Sequence, residues 1–364
     1  MTARSFTLTF HDSVLDVDVD HIELVETAVS FLSTHFTWQP RLVDRTPDSI
    51  ATIRVHALPF EPEIWNSAVD WQEIYVRKSA SEFFTVPARK AVVGEVELLE
   101  CSKSRTRMVF DRAAKTIDVG TSEAGAMDLV ELVRDLVIKD QENRGVVVLH
   151  ATAAHREGEI TIISGSKGAG KSTILLELVE HFGFEIMSGD KALARLSSEG
   201  DVVVTGWPDY PHLGYGTIAK YDGLPAIAGI ADDFEPDAAQ AFSAYNKFAV
   251  DPSGFRERFR SAAKNLEGTV ALVLHPNIGP GDSTQLVAAS ESAGERAQYL
   301  RDNIESGFSG SYAGWHTFIS DETAVHTASS DAILTELGRL EAWEVTGPGD
   351  LEGISLPRSP SADA

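Results

Sequence analysis

Cysteine is almost absent. Cys101 is the only one in 364 residues, so the chain can form no internal disulfide and no cysteine-based zinc cluster. Long apolar runs are missing too. None approaches the roughly 20 residues that span a bilayer, and the opening MTARSFTLTF carries no apolar signal segment. The expectation is a soluble, cytoplasmic protein with no membrane partner. Positive charge is scarce, since 31 Lys and Arg face 55 Asp and Glu, for a net charge of −24. Such a surface repels phosphate backbones and argues against nucleic acid as a partner. An anionic ligand would need a local cluster of amides and cations that works against the global field. What remains is a hydrophobic share of 43%, enough for two domains or one large core with an extension.

Three regions are expected. Residues 1–122 read as a smaller, strand-rich α+β unit. Phe6 to Phe10 and Leu15 to Asp20 alternate apolar and polar residues, and residues 21–36 carry helical spacing. Further strands are expected at Thr52 to Leu58, Glu73 to Arg77, Ala91 to Leu99, Arg107 to Phe110 and Thr116 to Val119. Residues 123–345 read as an α/β domain. It opens with a helix over 123–143 whose Leu129, Leu132, Val133 and Leu136 form one apolar stripe. Strands follow at Val146 to Ala153 and Glu159 to Ser164, and Val270 to Leu274 is expected as a central strand. Residues 346–364 have the Gly, Pro and Ser content of a disordered tail.

Residues 165–172 read Gly-Ser-Lys-Gly-Ala-Gly-Lys-Ser and satisfy G-x-x-x-x-G-K-[ST] at every fixed position. A strand, Ile160 to Ser164, precedes the loop, and an apolar-periodic helix, Thr173 to Phe182, follows it, as the phosphate-binding arrangement requires. Gly165, Gly168 and Gly170 let backbone N–H groups converge on phosphates, and the helix start adds partial positive charge. The nucleotide is thus expected along Gly165, Ser166, Lys167, Gly168, Ala169, Gly170, Lys171, Ser172 and Thr173. Lys171 would reach the β- and γ-phosphates and Ser172 would ligate Mg²⁺. Lys167 reads as solvent-facing or as an auxiliary contact.

His150 lies 21 positions before Lys171, and Asp190 lies 19 after it, at the end of the strand Phe184 to Met187. A carboxylate at that strand end can hold Mg²⁺ or take a proton from an attacking hydroxyl. With the Leu-His-Ala strand, the loop and the acidic strand end in this order, the stretch Gly145 to Leu196 resembles the HPr kinase/phosphorylase family and its relatives. The resemblance implies a P-loop core similar to HPr kinase and to the nucleotide-binding half of phosphoenolpyruvate carboxykinase. It implies ATP and Mg²⁺ as cofactors, a peptide, protein or small-molecule hydroxyl as acceptor, and homo-oligomers. Carried over by position, Lys171, Asp190 and His150 are the catalytic residues, and Ser172 and Asp190 hold the metal. The chain departs from the pattern at Gly189, where the family has a first aspartate, and at Leu213-Gly214-Tyr215-Gly216, where the family has an arginine before its glycines. A second acidic residue would come from elsewhere in the chain. The competing reading is a non-catalytic nucleotide sensor that binds a partner protein.

Weaker candidates are the loop 206–216, with Trp207, Tyr210, His212 and Tyr215 as a pocket wall, and the cations Lys247, Arg256, Arg258 and Arg260. Such a loop is more often a packed connection, and a solvated helix face is the default reading of Arg258 and Arg260. His275 reads as a loop residue.

Overall fold

The computed structural model describes residues 4–78, 84–241, 243, 247–310 and 313–357. It is mixed α/β and divides into two compact units, Met1–Arg144 with Ser306–His326, and Gly145–Glu305 with Thr327–Ala364. Among the described residues no helix is long and apolar enough to cross a membrane.

The first unit is built on a nine-stranded sheet: β1 (Arg4–Phe10), β2 (Ser13–Val19), β3 (Thr37–Pro40), β4 (Thr52–Ala57), β5 (Gln72–Arg77), β6 (Val86–Val93), β7 (Val96–Cys101), β8 (Arg107–Asp111) and β9 (Thr116–Thr121), in the order β3-β1-β2-β4-β9-β8-β7-β6-β5. The run expected as one strand over Ala91 to Leu99 is instead a hairpin of β6 and β7. Gly94, at φ +61, supplies the left-handed residue that such a turn needs. Helices α1 (Glu26–Leu32) and α2 (Ala126–Glu142) pack together, and α2 also lies against β2 and β5. The α2 stripe Leu129, Leu132, Val133 and Leu136 is buried, as its spacing predicts. This packing draws α2 into the first unit, so the division falls after Arg144 and not after residue 122.

The second unit contains β10 (Val147–Leu149), β11 (Ala151–Arg156), β12 (Glu159–Ser164), β13 (Glu185–Ser188), β14 (Ala192–Leu196), β15 (Val202–Thr205), β16 (His212–Gly214), β17 (Lys247–Ala249), β18 (Glu267–Ile278), β19 (Gln285–Ala288), β20 (Ile304–Glu305) and β21 (Ala342–Gly347). Its helices are α3 (Lys171–Phe182), α4 (Tyr215–Ile218), α5 (Leu224–Ile227), α6 (Ala238–Ala241), α7 (Pro252–Arg258), α8 (Ala293–Arg301) and α9 (Thr327–Arg339). The main sheet runs β13-β11-β12-β18-β15-β14-β10-β20, while β16 and β17 form a separate ribbon. The long β18 is central, as its apolar run predicts. It is parallel to β12, and its other edge pairs with β15 early and with β21 later.

The expected strand Val146 to Ala153 breaks at His150. The segment before the break, β10, pairs with β14 and β20, and the segment after it, β11, pairs with β12 and β13. One residue thus joins strands that stand five places apart in the sheet order, so the sheet curls back on itself. Its two edge strands, β13 and β20, converge at this seam. Residues 346–357 also depart from expectation, because apolar side chains override their loop-like composition. Leu351 is fully buried, with Ile354 and Leu356 packed into the same cluster beside α3. Residues 358–364 of the expected tail lie outside the described residues.

Candidate active site

The glycine-rich loop links β12 to α3 in the second unit. Gly168 (φ +85) and Gly170 (φ +104) take up left-handed backbone. A Cβ on Gly170 would fall 2.3 Å from Ile278 Cγ1, so the close approach of β18 also demands glycine there. The loop is tied to β18 by the Ile278 N–H, which donates to the Ala169 carbonyl at 2.9 Å. Lys171 opens α3 and is 8% exposed. Its Nζ donates to the Gly165 carbonyl at 2.7 Å and to the Ser166 carbonyl at 3.4 Å. Burial lowers the Lys171 ammonium to about 8; nearby Asp190 opposes the shift and Lys247 adds to it.

Asp190 follows β13. That strand is antiparallel to β11, which is antiparallel to β12, so β13 and β12 run the same way and end on the same side. Asp190 therefore shares a pocket with Lys171, Ser172 and His150. His150 Nε2 lies 3.3 Å from Asp190 Oδ1, and its Nδ1 lies 3.4 Å from Glu305 Oε1. The main chain is held at this position, since the His150 backbone N–H donates to the Asn303 carbonyl at 2.7 Å. Lys191 pairs with Glu305 and lies 3.8 Å from Asp190. Desolvation pushes the Asp190 carboxyl up, yet the His150 contact and the Lys191, His150 and Lys171 charges outweigh it and hold the group well below the usual range. Asp190 is thus kept ionised.

Other expected residues separate into two groups. His212, Gly214, Gly216 and Lys247 line the pocket. Desolvation in the pocket, with the charge of Lys167, lowers the Lys247 ammonium, and Asp190 counters the shift. Trp207 is fully buried and Tyr215 donates to the Phe234 carbonyl, so neither serves as pocket wall. Arg258 grips Glu180 at 2.9 Å, Arg260 pairs with Glu185 at 2.6 Å, and Arg256 donates to the Pro252 carbonyl; none of the three lines the pocket. His275 lies within β18, where its Nδ1 sits 3.1 Å from the Ser164 carbonyl. Gly189 lines the pocket with open space where a side chain would stand.

Glu305, Lys191 and Lys220 have no signal in the sequence. Glu305 reaches His150 only because β20 pairs with β10, more than 150 positions away in the chain. Among the described residues no group of three or more His, Cys, Asp or Glu is arranged to hold a metal ion. Ser172 and Asp190 suit an ion that takes one or two protein oxygens and draws the rest of its shell from phosphates and water, which is the habit of Mg²⁺. No known family model matches the chain, and no curated protein matches it.

Proposed function

We propose that this chain is an ATP-dependent kinase with a P-loop core of the HPr-kinase type, acting on the hydroxyl of a peptide, protein or small molecule. The observation that carries the reading is the meeting, in one pocket, of the glycine loop with Lys171, and of Asp190 with His150 beside it. The donor set fits a nucleotide polyphosphate. It has left-handed glycines that leave room for converging amides, a helix start, and Lys167, Lys171, Lys220 and Lys247 around an otherwise acidic chain.

In this role Lys171 leaves the Gly165 and Ser166 carbonyls for the β- and γ-phosphate oxygens. Ser172 and Asp190 would hold Mg²⁺, which would neutralise phosphate charge. The acceptor oxygen attacks the γ-phosphorus, the bond to the β–γ bridging oxygen breaks, and ADP leaves. The acceptor proton passes toward the Asp190–His150 pair and then to solvent. Little proton affinity is needed in a loose phosphoryl-transfer transition state, so an Asp190 held ionised is compatible with catalysis by positioning and charge. Lys247 stands where it can offset charge on the migrating group.

The test is transfer from γ-labelled ATP to candidate hydroxyl acceptors. Lys171→Ala should weaken ATP binding and abolish transfer, and Asp190→Asn should cut transfer by roughly a hundredfold or more. Transfer that survives both changes refutes the mechanism. A second reading, a nucleotide-dependent binding module, draws on Gly189 and on the pairing of Glu305 with Lys191, which leave Asp190 the one carboxylate lining the pocket among the described residues. Tight ATP binding without turnover, and partner affinity that changes with nucleotide, would favour it.

A further inference from the structure

The pocket lining contains two groups tied together by different contacts. Asp190 sits against His150, and its charge acts on Lys171 and Lys247, around the place proposed for the γ-phosphate. Thr217, hydrogen-bonded to Thr173 of α3 at 2.7 Å, belongs to the second, with Lys220, Ile278 and Pro348. A P-loop lysine reaches the β- and γ-phosphates, so the α-phosphate and its nucleoside extend away from Asp190, toward this second group.

Here the segment after β21 passes over α3. The Gly279 N–H donates to the Gly347 carbonyl at 3.0 Å, and Pro348 then lines the pocket. Gly349, at φ +83, comes so close to Ile278 and Thr173 that a Cβ there would meet their side chains at 3.2 and 3.3 Å. Asp350 Oδ1 accepts from Lys220 Nζ at 2.6 Å, and the Leu351 N–H donates to Glu177 Oε2 at 2.8 Å. Glu177 is buried and also accepts from the Tyr221 hydroxyl at 2.8 Å. With Leu351 fully buried, the strap is anchored and its position is set in advance of any ligand.

We propose that this strap is the nucleoside subsite of the pocket. Ile278 and Pro348 offer apolar surface to a flat base, and the Lys220–Asp350 pair sets a donor and an acceptor side by side for its edge or for ribose hydroxyls. Asp350, whose side chain is 62% exposed, has free surface through which to make that contact.

The inference rests on the nucleotide reading, and the two can fail separately. The experiment measures the affinity of the full chain for ATP and for inorganic tripolyphosphate, in the wild type and in Asp350→Ala and Asp350→Asn. The expected result is tighter binding of ATP than of tripolyphosphate. Asp350→Ala should weaken ATP about five- to tenfold, as expected for the loss of one charge-assisted hydrogen bond, and leave tripolyphosphate unchanged or slightly tighter. Asp350→Asn, which keeps an acceptor oxygen, should fall between. Equal effects on both ligands, or no effect on either, overturn the proposal. So does a wild type that holds tripolyphosphate as tightly as ATP, although the polyphosphate site then stands. Binding of neither ligand would sink the nucleotide reading itself.

Discussion

Glu142, on the last turn of α2, invites a stability measurement with a defined sign. Its carboxylate accepts from the Gly307 N–H at 2.8 Å and so helps to hold the segment 306–326 against α2 within the first unit. It is only 7% exposed. Burial raises it from 4.5 to about 7, hydrogen bonds from Ser306 and Gly307 pull it back, and the charges of Asp135 and Asp321 push it further up. Between roughly pH 4.5 and pH 7 the folded chain holds this proton while the unfolded chain has lost it. Stability therefore falls as the pH rises through that window. At 1.36 kcal/mol per pH unit, the gap between 4.5 and about 7 corresponds to a penalty of roughly 3 kcal/mol, complete above pH 7 and absent below 4.5. Glu142→Gln keeps an oxygen for the Gly307 N–H and removes the charge. The variant should be more stable than the wild type by about 2–3 kcal/mol at pH 8 and by less than about 1 kcal/mol at pH 5. Chemical denaturation followed by tryptophan fluorescence measures this, since Trp38, Trp65, Trp71 and Trp315 all lie in the first unit. A variant less stable at pH 8, or a difference that does not change with pH, would refute the reasoning.

Two further predictions concern the pocket. Gly170→Ala should destabilise the chain by at least about 2 kcal/mol and abolish ATP binding, because the backbone there is left-handed and Ile278 blocks a Cβ. Gly189→Ala, with open space around it, should stay within about 0.5 kcal/mol of the wild type and keep ATP affinity; thermal unfolding and titration with ATP would show equal effects if this contrast were wrong. Glu305→Gln should lower turnover roughly ten- to a hundredfold while ATP affinity changes less than about twofold, since it frees one side of His150 without touching the loop. Unchanged turnover would place Glu305 outside the machinery.

The glycine loop and its flanking strand and helix were legible because their signal is local: spacing, glycines, and apolar runs on either side. The positions of His150 and Asp190 followed from the same short stretch, although the strand break at His150 did not. Val146 to Ala153 is apolar apart from His150 and Thr152, and a single polar residue within a strand is too ordinary to mark where pairing partners change. The α2 stripe announced burial but not against what, and the elements that α2 packs on are α1, β2 and β5. The C-terminal segment misled through its glycines and prolines, because three apolar side chains, Leu351, Ile354 and Leu356, override that signal. Glu305 was illegible for a different reason. Its role depends on which strand closes the sheet edge, a long-range pairing that no window of sequence contains.

That closure explains how one histidine comes to have a carboxylate near each ring nitrogen. An open sheet would leave β13 and β20 at opposite ends, with Asp190 and Glu305 far apart. Because β10 and β11 are joined by His150 alone, the edges must meet there, and Lys191 fills the gap between the two acids. The same closure sets two carboxylates beside a pocket whose other charges are lysines. In the proposed role this balance matters. The lysines draw polyphosphate into a chain of net charge −24, and the Lys171 and Lys247 ammonium groups, lowered chiefly by desolvation and further by a neighbouring lysine, are stabilised when an anion arrives. Asp190, kept ionised by His150 and Lys191, holds Lys171 charged in the meantime. Loss of Asp190 should therefore impair binding of the polyphosphate as well as its transfer, a coupling that a purely catalytic carboxylate would not produce.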